Sequence, residues 1–341
     1  MFRRMVFTLM VLCLFFTGAH AEGKPARRDD GKANLSVAEG LNPDWMNVLL
    51  IGTDTREDKV NQGRGDALVV CSVHKKTGEI RLTSLARDMW VKIAGERFYD
   101  KINTAFRYGG PEMMMKTVNE TLALNITNYM SVNFYGLCDL VDAIGGIEVT
   151  LSKAERSYVN SKTQWKYGSV RAAKLPVDEG DKKVKLCGAQ ALTYARIRKL
   201  DNDLGRNRRQ RKVIEAMIQK ALKMPEDEVV ALGESCLEHI STNISFLEFV
   251  SLGTAVFRGG LDDIKQLSIP SEGHYRFISP NGKSALEFDL TQVQDEVHAF
   301  IYGEDEQVQD DADEAQTSLP AAGGTTLISP KNKSQLKLKR Q

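Results

Sequence analysis

The densest run of charged side chains in this sequence is ALTYARIRKLDNDLGRNRRQRKV, residues 191 to 213. Between Arg196 and Lys212 it packs six arginines and two lysines around two aspartates, although the formal net charge of the 341 residues is only +1. Such a run calls for an anion. Three readings compete: a solvated helix face among counter-ions, a nucleic-acid footprint, or a phosphate site inside an enzyme. Three shorter motifs add charge elsewhere: TDTRED with Asp54 and Arg56, GRGD with Arg64 and Asp66, and ARD with Arg87 and Asp88. Taken singly, each is a surface loop with weak salt bridges.

The elements that must position these residues alternate between strand and helix periods. MNVLLIG (46 to 52) is a short apolar strand ending in Gly52, ALVVCSVH (67 to 74) is another, and EIRLTSL (79 to 85) alternates apolar and polar residues after a KKTG turn. GGPEMMMKTVNETLAL (109 to 124) carries Pro111 near a first turn and Met114, Met115, Val118 and Leu122 at helical spacing. YMSVN, FYGLCDLVDAI and GGIEVTL then repeat strand, helix, glycine turn and strand. This pattern predicts a layered α/β fold with a largely buried central sheet, made mixed by the KKTG hairpin. In such sheets ligands collect beyond strand ends, and TDTRED, GRGD and ARD all fall at strand ends.

The N-terminus bears on compartment. MFRRMVFTLMVLCLFFTGAHAEG has Arg3 and Arg4, an apolar run from Met5 to Phe16, and the small-x-small site Ala19-His20-Ala21. The run is shorter than the ~20 residues of a membrane-spanning helix, so a signal peptide over residues 1–21 is expected, with a short membrane anchor as the alternative. Export and near-neutral net charge both oppose a nucleic-acid-binding regulator. Residues 22–42 are polar and read as a linker, 43–302 as the folded domain with a C-terminal elaboration after about residue 225, and 303–341, acidic and then basic with little apolar content, as a disordered tail.

NVLLIGTDTRED, GRGDALVVCSVHKKTGEIRLTSLARD, DKINTAFRYGGPEMMMKTVNETL, VNFYGLCDLVDAIGGIEV and GAQALTYARIRKLDNDLGRNRRQRKV stand in the order and spacing of the LytR-CpsA-Psr family. The chain resembles that family over about residues 46 to 215. The resemblance implies a three-layer α/β/α domain around that mixed central sheet, and an extracytoplasmic phosphotransferase that moves a glycopolymer from a polyprenyl-pyrophosphate carrier to the cell wall, usually to peptidoglycan, at the membrane surface and with no nucleic acid involved. A polyprenyl-pyrophosphate hydrolase or a non-catalytic lipid-binding protein on the same scaffold is the alternative.

By this match Arg87, Arg196, Arg198 and Arg206 are phosphate ligands, with Arg64, Arg209, Gln210 and Lys101 near them and Arg56 a weaker candidate. Arginine suits the task because its planar fork makes paired hydrogen bonds to phosphate and stays protonated. Arg87 and Asp66 are the expected catalytic pair. Asp54 and Asp66 are expected to hold Mg²⁺ against the pyrophosphate, with Asp66 as a base for the acceptor hydroxyl left open. Arg196 and Arg198 would lie about 200° apart on a helix, so an extended stretch is expected there. Arg206 and Gln210 share a helix face with Arg209 beside them, while Arg208 and Arg211 are expected to be solvated.

Two positions depart from the family pattern: Ala86 stands where proline usually precedes the arginine, and Gly65 where serine is frequent. These are expected to loosen the backbone before Arg87 and to remove a hydroxyl from the site. The lipid requires an apolar cavity, for which MSVNFYGLCDLVDAI and the methionines at 113 to 115 are candidates. Among the cysteines, Cys71 and Cys138 read as buried thiols and Cys187 with Cys236 as a disulfide.

Overall fold

The computed structural model describes residues 35–54, 63–201, 203–221, 223, 240–259 and 264–303. Strands in chain order are β1 (Trp45–Thr53), β2 (Gly65–His74), β3 (Ile80–Leu85), β4 (Trp90–Lys92), β5 (Tyr99–Lys101), β6 (Asn128–Val132), β7 (Ile147–Leu151), β8 (Lys182–Leu186), β9 (Ile240–Thr242), β10 (Lys265–Ile269), β11 (Tyr275–Ile278) and β12 (Ala285–Phe288). Helices are α1 (Ala105–Leu122), α2 (Phe134–Ala143), α3 (Lys153–Lys162), α4 (Gly188–Ala195), α5 (Asp203–Ala221), α6 (Phe246–Gly259) and α7 (Leu290–Tyr302).

Six strands form the central sheet in the order β10-β3-β2-β1-β6-β9. β1 pairs antiparallel with β2 and parallel with β6, and β3 pairs antiparallel with β2 and parallel with β10, so the sheet is mixed. Its strands are apolar on both faces because helices cover both. On one face Leu49, Ile51, Leu68, Val70 and Leu85 pack against Met114, Met115, Val118 and Leu122 of α1 and Val293, Val297 and Ile301 of α7. On the other, Val69, Val73, Ile80 and Leu82 meet Ile214 of α5 and Leu252, Ala255 and Val256 of α6. α1 is interrupted at Gly109 and Gly110, the latter at φ +64, and Pro111 opens its second stretch, where a missing N–H costs nothing.

Several boundaries differ from the sequence reading. Residues 35–42 are docked rather than free: Asn119 Nδ2 donates to the Leu35 carbonyl at 2.9 Å and the Ala38 N–H to the Leu124 carbonyl at 3.0 Å. The region after 225 is integral to the domain, since β9 and β10 form the two edges of the central sheet and α7 covers one face. β7 does not enter that sheet. It pairs antiparallel with β8 in a two-stranded ribbon, and its alternating burial fits a ribbon with one face on α3, α4 and α5. The segment 1–34, with the expected signal peptide and most of the linker, and the tail 304–341 lie outside the described residues, as does Cys236. No helix among the described residues is long and apolar enough to cross a membrane.

Much of the apolar content of the segments proposed for a lipid cavity is core in this structure, while Met113, Met130, Tyr135 and Leu137 are half-buried. Met114 and Met115 are 0% and 1% exposed within the α1 face, and Cys138 and Val141 are fully buried on the inner face of α2. Cys187 is a free thiol, as are Cys71 and Cys138. Gly188 is required where α2 and α4 touch, because a Cβ there would meet the Cys138 carbonyl oxygen at 2.2 Å.

Candidate functional site

One edge of the central sheet gathers the charged motifs. β1, β3 and β6 all end there, and β2, running antiparallel to β1, begins there. Asp54 therefore follows β1, Arg64 and Asp66 open β2, Arg87 and Asp88 follow β3, and Asn133 follows β6. The β1–β2 ladder slips at this end: Gly52 pairs with Ala67 but Thr53 with Gly65, leaving Asp66 as the extra residue of a bulge. A bulge re-aims the side chain it inserts. Here it brings Asp66 to Arg87, whose Nη1 lies 2.8 Å from Asp66 Oδ1.

From that contact a charge chain extends in two directions. Arg87 Nε lies 3.5 Å from Asp88 Oδ2, and Lys101 Nζ lies 2.9 Å from Asp88 Oδ1, so Asp88 joins Lys101 to Arg87. On the other side Arg198 Nη2 lies 3.5 Å from Asp66 Oδ2, with half of the Arg198 side chain exposed. Asp66 thus faces guanidiniums from two distant parts of the chain. The Asn103 N–H donates to the Arg87 carbonyl at 3.3 Å, fixing the backbone of the ARD turn from the DKIN motif.

The arginine-rich stretch divides as its local structure dictates. α4 ends at Ala195; Arg196 sits in the turn after it, and Arg198 is outside any helix. Arg196 stacks over the Phe134 ring at 4.2 Å, tying this turn to the residue that opens α2 after β6. Arg206 is buried on α5 at 2% exposure, Gln210 is half-buried, and Arg208 is exposed.

Two arginines do not behave as the sequence suggested. Arg209 was expected near the pyrophosphate, but its guanidinium is committed elsewhere: Nε to Glu155 at 2.8 Å, Nη1 and Nη2 to the Asp201 carboxylate at 3.0 and 2.5 Å, and Nη1 also to the Ile197 carbonyl at 3.3 Å. Burial works against its charge, but Asp201 and Glu155 outweigh it and raise its pKa. It is a clamp that holds the residue between Arg196 and Arg198. Arg211, expected to be solvated, is 5% exposed and ties α5 to β10 through Gln266 at 2.9 Å and Ser268 at 2.6 Å. Burial, with Arg208 nearby, lowers its pKa to about 10.

A cavity of about 500 Å³ beside this cluster is lined by Asp54, Gly63, Arg64 and Arg107. Asp54 Oδ1 accepts the Arg64 backbone N–H at 2.8 Å. Arg56 lies outside the described residues. Both departures from the family pattern have a local account that reverses the expectation. The Ala86 N–H donates to the Ile269 carbonyl at 2.8 Å, a bond proline cannot make, so the backbone before Arg87 is pinned. A Cβ at Gly65 would meet Leu68 at 2.9 Å and Met114 at 3.1 Å, so a serine there would enter the core, not the charged cluster.

A strand-end arginine and aspartate cluster on a mixed sheet, fed by a second arginine turn, is what the sequence motifs led to, and most of the chain matches known proteins. The LytR_cpsA_psr family covers residues 10–312. The chain belongs to this family. Among curated relatives, the polyisoprenyl-teichoic acid–peptidoglycan teichoic acid transferase TagU of Enterococcus faecalis (strain ATCC 700802 / V583) is 34% identical over 262 residues, covering 75% of this chain and 80% of that one. Among solved structures, Bacillus subtilis TagV superposes with a TM-score of 0.60 at 26% identity, covering 76% of this chain and 98% of that one. TagT bound to LI-WTA superposes with a TM-score of 0.59 at 26% identity, covering 76% and 91%. The family fold is the three-layer α/β/α arrangement described above.

Sequence reasoning missed four participants. Asp88 was noted in its motif but not as the link to Lys101, and Glu155, on α3, and Asp201 gave no sign of converging on Arg209. Arg107, in AFRY, was passed over because a lone arginine in a helical stretch carries no pattern. Its place on the cavity wall is a product of the tertiary structure.

Proposed function

We propose that this protein transfers a teichoic-acid-type glycopolymer from a polyprenyl-pyrophosphate carrier to a peptidoglycan hydroxyl, outside the cytoplasmic membrane. The observation that carries this reading is Asp66 set between Arg87 and Arg198: two guanidiniums from separate elements meet at one sheet edge, as neutralising a pyrophosphate requires. Family membership and the names of the relatives support it.

In the reaction, the acceptor hydroxyl oxygen bonds to the glycan-bearing phosphorus, and the bond from that phosphorus to the bridging oxygen breaks. Polyprenyl monophosphate leaves with the electron pair, and the hydroxyl proton is released. The glycopolymer ends as a phosphodiester on the acceptor. Charge on the non-bridging oxygens is met by Arg87, Arg196 and Arg198; the guanidinium of Arg206, expected among them, is buried on α5 away from the open cluster. Lys101 and Asp88 hold Arg87 in place, and Arg209 holds the Arg196–Arg198 turn.

Asp54 follows β1 and Asp66 opens β2, so both carboxylates stand at the same end of the β1–β2 pair. They would hold Mg²⁺, which typically takes one or two carboxylates and draws its other ligands from substrate phosphate. When bound it would neutralise charge on the pyrophosphate as the lipid phosphate departs.

The test is incubation of the protein with a defined lipid-linked donor and peptidoglycan fragments. Formation of a phosphodiester-linked product with one equivalent of polyprenyl phosphate supports transfer. Release of free glycan phosphate with the acceptor left unmodified would make the protein a hydrolase instead.

A further inference from the structure

The connection between α3 and β8, residues 163–181, carries no regular structure beyond one 3-10 turn at Trp165–Tyr167. Connections this long are uncommon in a compact domain and are commonly binding loops when they are ordered. This one is tied down along its length. Asn160 bonds both the N–H and the carbonyl of Leu175, at 2.7 and 2.8 Å, and Gln190 Nε2 donates to the Ala173 carbonyl at 3.1 Å. Arg171 Nη1 donates to the Gly168 carbonyl at 3.0 Å. Asp142, on α2, accepts the N–H of Val170 at 3.4 Å and of Gly188 at 2.6 Å, so its carboxylate is committed to backbone. A loop held in this way presents its side chains at little ordering cost to a ligand.

Its composition is the second observation. From Thr163 to Val177 the sequence holds Lys166, Arg171 and Lys174 and no acidic residue, and all three cations are exposed. Arg171 lies over the half-buried Trp165 ring at 5.5 Å and Lys166 over the Tyr167 ring at 4.9 Å. Tyr167 packs edge to face on Phe134 with centroids 5.7 Å apart, and Phe134 carries Arg196 over its ring at 4.2 Å. Two rings thus join the loop to the arginine turn of the phosphate site. The cluster at Asp66 uses none of the three cations.

A surface of cations around an indole fits an anion that also has flat apolar faces. A polyol phosphate chain supplies the charge but no ring. A peptidoglycan strand supplies both: pyranose rings whose C–H faces match an aromatic ring, and stem-peptide carboxylates for the cations. We propose that the loop is the acceptor subsite, seating a sugar ring of the peptidoglycan strand on Trp165 and its stem carboxylates on Lys166, Arg171 and Lys174. The proposal rests on the transferase reading above and adds where its acceptor binds. The subsite selects strands with free stem carboxylates over strands in which they are amidated.

The test uses the full chain, a polyprenyl-pyrophosphate donor analogue carrying a short polyol phosphate chain, and two soluble peptidoglycan fragments that differ only in free or amidated stem carboxylates. The wild type is expected to bind the free-carboxylate fragment about fivefold more tightly, the size of two exposed charge pairs. The double variant Lys166→Gln, Lys174→Gln is expected to erase that difference with donor-analogue affinity unchanged. Trp165→Ala is expected to weaken both fragments by about threefold to tenfold, again without effect on the analogue. Should Trp165→Ala fail to fold by circular dichroism, the lysine pair decides alone. The proposal is overturned if the wild type does not distinguish the fragments, if the lysine variant still distinguishes them, or if it weakens the donor analogue instead, which would assign the loop to the donor polymer. A wild type that transfers the glycopolymer while showing any of these results keeps the transferase reading and loses the subsite; a wild type that binds the fragments as expected but transfers nothing to them overturns the reading and the subsite with it.

Discussion

Replacing Arg209 with methionine separates a clamp from a ligand. The side chain is 6% exposed and its partners, Glu155 and Asp201, are 15% and 31% exposed, so the substitution leaves two carboxylates partly buried without a cation. Breaking a buried pair costs about 3 to 5 kcal/mol, and the partial exposure of Asp201 brings the expectation to about 2 to 4. In a domain of this size each kcal/mol lowers the thermal midpoint by about 2 to 4 °C, so a drop of about 4 to 16 °C is expected by calorimetry. The same change frees the Ile197 carbonyl and the turn between Arg196 and Arg198. Re-ordering one or two residues of backbone costs about 1 to 3 kcal/mol, which weakens a polyprenyl-pyrophosphate analogue by about fivefold to a hundredfold. Glu155→Gln should give the same paired losses in smaller measure, because it removes charge from the other end of the clamp. An Arg209→Met protein with an unchanged thermal midpoint and abolished binding, alongside an Glu155→Gln protein that binds normally, would refute the clamp and make Arg209 a ligand.

Four further outcomes are expected. Glutamine at Arg196 or Arg198 should weaken the donor analogue by about tenfold to a hundredfold, whereas glutamine at the exposed Arg208 should change it by about twofold or less, measured at fixed salt. Ala86→Pro should destabilise the fold by about 1 to 3 kcal/mol in denaturant titration, because the Ile269 carbonyl loses its donor. Chelating Mg²⁺ should weaken donor-analogue binding by the wild type but leave the Asp54→Ala protein, already weakened, unaffected; equal sensitivity in both would remove Asp54 as a ligand. Cys138 should resist alkylation of the native protein at pH 8, since burial, with Asp142 and Asp139 nearby, raises the pKa of its thiol and the reactive thiolate is scarce until the protein unfolds.

The strands and the helices were legible where one period ran long enough. MNVLLIG, ALVVCSVH and EIRLTSL became β1, β2 and β3 within two residues, and the glycine-proline start of the long helix appears as the break in α1. Strand ends located Asp54, Asp66 and Arg87 because a sheet turns separate motifs into neighbours along one edge. Partnership was not legible. β7 has the alternation of a half-buried strand but nothing that says it pairs with β8 outside the sheet. Arg209 and Arg211 look alike in RNRRQRK, and only the arrival of Glu155 and Asp201 at one, and of Gln266 and Ser268 at the other, sets their roles. A helix face read from spacing alone assumes solvent opposite it. Here β10 and the turn after α4 supply protein instead.

The central claim is that the guanidiniums gathered at Asp66 serve phosphoryl transfer to a glycan acceptor. Single-turnover reaction of a radiolabelled lipid-linked donor with peptidoglycan fragments, comparing wild type with Arg87→Lys, tests it most directly. The account predicts label in the peptidoglycan fraction with matching release of polyprenyl phosphate for the wild type, and a loss of at least about a hundredfold for Arg87→Lys, which keeps the charge but not the fork. Undiminished transfer by Arg87→Lys, or release of label only to water by the wild type, would contradict it.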